Sequence, residues 1–133
     1  AKEAGADSVK FQHFLAEKIV SDYGFRQFGG QVGHQATWKK SVYDVFKECE
    51  CKRSWSEELA QTAKDAGIAF LTTPYDVEAV EQLDRHIPAY KIGSGDITWI
   101  DFIRLIAGKV KPVFLATCAS TMEYVERAVA ALL

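Results

Sequence analysis

Lys10 and Gln12, Thr72 and Thr73, Lys91 with Ser94 and Asp96, and Thr117 have one thing in common. Each sits at or just beyond the C-terminal end of a short, mostly apolar run. The third run is the oddest: "YKIGSGD" (90–96) puts a lysine where a buried strand wants a hydrophobe, then stops at Gly-Ser-Gly and an acid. Two ammonium groups sharing one space repel each other unless an anion lies between them. Lysine binds phosphate or carboxylate as a point charge, and Ser and Thr hydroxyls add directional hydrogen bonds. Glycines on either side of Ser94 let backbone N–H groups approach the same anion. The chemistry these residue types point to is the holding of a small phosphorylated or carboxylated substrate. Each residue also has a plainer role open to it: a lysine stem can snorkel to solvent, Thr73 can cap the turn after it, and Asp96 can cap a helix.

Such residues converge only if the elements carrying them are parallel. Four runs read as strands: 7–12, 68–74, 88–94 and 111–117. They lack strict alternation, as parallel strands covered on both faces do. Helical patterns separate them. Trp38, Val42, Val45, Phe46 and Cys49 share a face over 36–49, and "SWSE" suggests a capping box from Ser54 to Glu57, opening a helix that stops at Gly67. Further helices are expected near 76–84 and 99–107, and "STME" suggests a second capping box from Ser120 to Glu123. The fragments "AKEAGADSVKF" and "AKDAGIAFLTT" repeat one pattern of helix end, Ala-Gly and strand. Alternating β and α elements imply right-handed crossovers and a parallel sheet. Without a Gly-rich dinucleotide fingerprint, and with polar residues closing every strand, the expected fold is α/β, a partial (β/α)8 TIM barrel of about four βα units. The stretch from Phe14 to Ala36 lengthens the first unit and holds Arg26, Gly29, Gly30, Gln31, His34 and Gln35. A loop of that length at a catalytic face commonly serves as a lid or specificity element.

The composition narrows the functional classes. The 133 residues carry a net charge of −2, with 48% hydrophobic and 26% charged residues. That is an ordinary globular balance, with no electrostatic case for nucleic acid or an anionic membrane. No apolar run approaches the roughly 20 residues a bilayer requires, and no signal peptide opens the chain, so a cytoplasmic location is expected. Cys49, Cys51 and Cys118 are read as reduced thiols; a lone C-x-C is weak support for zinc. The chain opens on what reads as the last turn of a helix, ending at Gly5, and closes inside another, so a piece of a longer protein is expected.

With these motifs assembled, the chain resembles the sialic acid synthase family (N-acetylneuraminate and related nonulosonic acid synthases). "AGADSVKFQ", "FLTTPYD", "AYKIGSGD" and "KPVFLATCAST" resemble four successive blocks of its N-terminal barrel, strands two to five, over nearly the whole chain. The resemblance implies condensation of phosphoenolpyruvate with an N-acyl mannosamine-type sugar, giving a nine-carbon 2-keto acid and phosphate. It implies that Lys10 and Lys91 act in catalysis by contacting phosphoenolpyruvate. Thr73 and Ser94 would place hydroxyls on the same ligand, with Gln12 near the sugar acceptor. Asp96 stands where many members have glutamate. Ala116, Thr117 and Cys118 replace a Ser-Thr-Gly, so a phosphate-contacting serine is missing at Ala116, and Thr117 would have to reorient to compensate.

A divalent metal, manganese or magnesium, and a homodimeric parent are further implied. The metal ligands would lie outside this chain, since His13, His34 and His86 do not match their positions, and the small C-terminal antifreeze-like domain is absent. Residues 1–133 are thus expected to be one fragment of a phosphoenolpyruvate-binding barrel domain, with no nucleic acid or membrane partner. A Schiff-base aldolase using a barrel lysine such as Lys91, or a non-catalytic anion-binding fragment, are the alternatives.

Overall fold

The sequence folds in a computed structural model that describes residues 1–27 and 33–133. Four strands form one parallel sheet: β1 (Ser8–His13), β2 (Ala69–Pro74), β3 (Tyr90–Ile92) and β4 (Val113–Leu115). They lie side by side in chain order, β1-β2-β3-β4. A doubly wound sheet reverses direction at a switch point, whereas a barrel wall keeps sequential order, and this sheet keeps it. Gly29, Gly30 and Gln31 of the long first connection, and the side chain of His34, lie outside the described residues.

The register sorts side chains onto two faces. Lys10 is level with Leu71, Gln12 with Thr73, Thr72 with Tyr90 and Lys91 with Phe114. Successive residues of a strand alternate sides. Phe11, Phe70, Tyr90, Ile92, Val113 and Leu115 therefore share one face, and Lys10, Gln12, Leu71, Thr73, Lys91 and Phe114 the other. Helices cover only the first. The core joins Phe70, Tyr90 and Ile92 to Ala63, Val80, Leu83, Phe102, Ile103, Ile106 and Ala128 from the helical layer.

The connection from β1 to β2 carries α1 (Ala16–Ile19), α2 (Asp22–Gln27), α3 (Val42–Glu48) and α4 (Ser56–Asp65). Then α5 (Val77–Leu83) follows β2, α6 (Ile100–Ala107) follows β3, and α7 (Met122–Leu132) follows β4. Two of the expected caps move. Residues Arg53–Trp55 form a 3-10 turn, so α4 starts at Ser56 without a side-chain cap, and Ser54 caps nothing. At α7 the cap is Thr121, whose hydroxyl accepts from the Tyr124 N–H, and Ser120 donates instead to the Cys118 carbonyl. The helix expected over 36–49 begins only at Val42, where Ser41 accepts from the Asp44 N–H at 3.1 Å. Asp76 caps α5 through the Ala79 N–H at 2.8 Å, leaving Thr73 no capping role. Gly67, at φ +63, ends α4 as expected, because its left-handed backbone lets Ile68 N–H return to Ala63. No helix among the described residues is long and apolar enough to cross a membrane.

Both outer strands, β1 and β4, have one side without a hydrogen-bonded neighbour in the sheet. Phe114 on the uncovered face is 56% exposed. Unpaired parallel edges beside an open apolar side chain favour chain-to-chain pairing. Residues 1–133 in isolation are expected to self-associate in sedimentation analysis, and a monodisperse, cooperatively unfolding monomer would contradict this.

Candidate functional site

The face without helices carries the chemistry. Gln12 pairs in register with Thr73 and Lys91 with Phe114, and Thr73 follows the Thr72–Tyr90 pair, so it is level with Lys91. Gln12, Thr73, Lys91 and Phe114 thus form a row straight across the sheet, with strands about 4.8 Å apart. Lys10 stands two residues lower on β1. Neither Lys10 nor Lys91 has a hydrogen-bonding or ion-pair partner among the described residues. Lys10 is exposed, Lys91 partly buried and Thr73 only 2% exposed.

The strand that carries Lys91 is fixed from behind. The Tyr90 hydroxyl donates to Asp84 at 2.9 Å, and Lys111 pairs with the same carboxylate at 2.8 Å. Hydrogen bonding to Lys111 holds the Asp84 carboxyl below its ordinary range, and burial with its neighbouring carboxylate pushes the Tyr90 phenol well up. Tyr90 and Ile92 are fully buried on the helical side, so Lys91 between them must face the open side.

Beyond β3 the chain enters a 3-10 turn over Ser94–Asp96, closed by Asp96 N–H to the Gly93 carbonyl at 3.1 Å. Asp96 is not the side-chain cap of the next helix: Trp99 holds that place, without a side-chain cap bond. A Cβ at Gly93 would sit 3.0 Å from Asp96 Oδ2 and 3.6 Å from the Tyr75 hydroxyl, which gives Gly93 a steric reason. Asp96 Oδ2 is buried without a hydrogen-bond partner, and that burial raises its carboxyl above the ordinary value. Across from it, Gln12 Nε2 donates to the Tyr75 hydroxyl at 2.6 Å. Ser94 is partly buried in the turn. Thr117 is exposed just past β4, in a loop that turns at Ala119 with φ 55. The expected residues other than Thr72 therefore lie along the open face or the C-terminal edge, and Tyr75 joins them. Its place in "TTPYD" offered only a weak cue, since the residue after a strand-ending proline has no set direction.

Thr72 belongs elsewhere. It was expected at the same mouth, but one residue of strand alternation turns it to the helical side. There His13, fully buried, links β1, β2 and the start of α4. Thr72 donates to the Phe11 carbonyl at 3.1 Å, so the 2.7 Å contact with His13 Nδ1 is an imidazole N–H donating to Thr72. His13 Nε2 must then accept, and Cys51 Sγ at 3.3 Å and Ser56 Oγ at 3.2 Å both reach it. Ser56 also reaches the Arg53 carbonyl at 3.0 Å and has one proton for the two. Burial pushes the Cys51 thiol up, which keeps its proton available for the imidazole. Arg53 in turn pairs with Asp76 at the start of α5. The strand read as 7–12 stops one residue short of His13, so the sequence gives no cue to this cluster. Alternation alone would have put His13 opposite Gln12.

A parallel sheet with helices on one face and, on the other, hydroxyls, a carboxamide and two ammonium groups without partners among the described residues is a wall of an α/β barrel. The chain belongs to the NeuB family, whose family model matches residues 1–133. It is 33% identical over 129 residues to the N,N'-diacetyllegionaminic acid synthase of Campylobacter jejuni, a match that covers 96% of this chain and 38% of the relative. It is 32% identical over 125 residues to the pseudaminic acid synthase of the same species, covering 92% of this chain and 36% of that one. The chain thus spans little more than a third of the length of these relatives. In fold it is similar to the N-acetylneuraminic acid synthetase of Leptospira borgpetersenii, with a TM-score of 0.79 at 21% identity over 98% of this chain and 40% of that chain. The resemblance read from the four sequence blocks and the barrel fold both agree with these findings. A divalent metal finds no fit in this part of the wall: among the described residues no group of three His, Cys, Asp or Glu side chains is placed to hold one.

His13 generates a pH dependence with a definite sign. Burial, then the Arg53 charge, push its pKa from the ordinary 6.5 down to about 4, while Asp76 acts weakly in the opposite direction. Between those values the unfolded chain binds a proton that the native chain does not. Stability is therefore unaffected by this group above pH 6.5 and falls as the pH drops toward 4, by about 3 kcal/mol in total. Urea unfolding of wild type and His13→Gln at pH 7 and pH 4.5 should show a smaller acid loss in the variant. Equal losses would remove His13 from the acid response.

Proposed function

We propose that this chain forms the phosphoenolpyruvate-holding wall of a nonulosonic acid synthase, a fragment of one TIM-barrel domain. The observation that carries the reading is the pair Lys10 and Lys91, without carboxylate partners among the described residues, on one open face with Thr73 and beside the turn of Ser94. A carboxylate and a phosphate on one three-carbon ligand would supply the missing counter-charge. Membership of the NeuB family, and relatives named as synthases of pseudaminic and diacetyllegionaminic acids, support the same choice.

In the reaction, C3 of phosphoenolpyruvate forms a carbon–carbon bond to the aldehyde carbon of an N-acyl mannosamine-type sugar. Water adds at C2, the C2–O bond to phosphate breaks, and a nine-carbon 2-keto acid and phosphate leave. The work of this wall is electrostatic. Lys10 and Lys91 neutralise the ligand's charges, Thr73 and Ser94 orient it, and none of the four needs to act as a nucleophile. Thr117, exposed past β4, would have to reorient to reach the leaving phosphate, where Ala116 has no hydroxyl to offer. Asp96, with its carboxyl raised by burial, is suited to carry a proton at the mouth. Gln12 faces the acceptor side. A divalent metal would be held by residues of the parent protein outside this wall and would supply polarisation of the sugar aldehyde.

Lys91→Ala in the intact protein is expected to lower phosphate release from phosphoenolpyruvate by at least about a hundredfold. Near-normal turnover would defeat the reading. Borohydride trapping with pyruvate separates the aldolase alternative, which requires an adduct at Lys91.

A further inference from the structure

Tyr75 is held from three sides. Its backbone N–H donates to the His13 carbonyl at the end of β1, at 3.2 Å. Its ring meets Phe14 edge-on at 6.0 Å and 89°. Its hydroxyl lies against Gly93 and accepts from Gln12 Nε2 at 2.6 Å. The phenol thereby spans from β1 to the turn after β3, over the C-terminal end of β2.

The donor in that hydrogen bond is the Gln12 amide nitrogen. Asp96 Oδ2 and the Tyr75 hydroxyl both border the space that a Cβ at Gly93 would fill, 3.0 Å and 3.6 Å from it. The Tyr75 hydroxyl can turn its one proton toward that unpartnered oxygen, which leaves its lone pairs for Gln12. Gln12 must then present its N–H group to Tyr75, and its carboxamide oxygen remains for the open face. Gln12 itself is exposed, so a ligand can reach that oxygen.

We propose that Tyr75 is a positioning residue that sets the polarity of Gln12, so that the mouth offers the sugar acceptor a hydrogen-bond acceptor and selects an N–H or O–H group on it. The assignment rests on the synthase reading for the identity of the ligand, but the Gln12–Tyr75–Asp96 geometry stands without it. A phenylalanine at 75 would keep the ring against Phe14 and lose only the hydroxyl. Gln12 would then rotate freely and present either end of its amide.

The test is Tyr75→Phe in the intact protein, with phosphoenolpyruvate and N-acetylmannosamine as substrates. Loss of one orienting hydrogen bond is expected to raise KM for the sugar roughly three- to tenfold while KM for phosphoenolpyruvate stays within about twofold. In a Gln12→Ala background the same change should add nothing. An unchanged sugar KM, an equal rise in both KM values, or additive losses in the double variant would each overturn the proposal. A wild-type protein that releases no phosphate from this pair overturns the synthase reading and the sugar assignment together. The Gln12 carboxamide signals in 1H–15N spectra report on the geometry without turnover. They should move on Tyr75→Phe, and signals that stay in place overturn the positioning role.

Discussion

Successive side chains of a strand must point to opposite sides, and the chemistry of this chain depends on that constraint. In Tyr90–Lys91–Ile92 the outer two residues are fully buried against helices, and the hydroxyl of Tyr90 is fastened to Asp84. Lys91 then has one direction left. The hydrophobic core and the charged face are consequences of the same three residues, and the energy that buries Tyr90 and Ile92 is what holds an ammonium group toward the mouth.

The same rule divides two neighbouring pairs. Gln12 and Thr73 lie in register on the open side, and Thr72 with His13 on the helical side. The hydrogen bonds from His13 through Thr72 to the Phe11 carbonyl run directly behind the site row and tie β1 to β2. Cys51, Ser56 and the Arg53–Asp76 pair extend the tie to the starts of α4 and α5. The polar residues of these strands are of two kinds, one set on the open face and one set bracing the wall.

Much of this was legible in the sequence. The four apolar runs, their order, and Lys10, Lys91, Thr73 and Gln12 at their ends follow from composition and spacing, because parallel strands must end at one edge. The ends of elements were harder. The fourth strand is only Val113–Leu115, since Lys111 turns away to Asp84 and to the carbonyl of Ile87. The Ser54 cap failed because a 3-10 turn closes from Trp55 N–H to the Lys52 carbonyl before α4 begins. His13 and Tyr75 escaped notice for a different reason. Their partners lie about 40 to 60 residues away in sequence, at Cys51, Thr72 and Gln12, and no local pattern announces such pairs.

One face of the sheet holds the fold together and the other is open, and this separates two kinds of change. A substitution at Gln12 or Phe114 alters the shape and polarity of the mouth without opening a hole in the packed layer. A substitution at Tyr90, Ile92 or His13 disturbs that layer directly. The polarity of the open face can drift by single replacements while the scaffold stays as stable as before, which fits a family whose members carry the names of several different sugar acids.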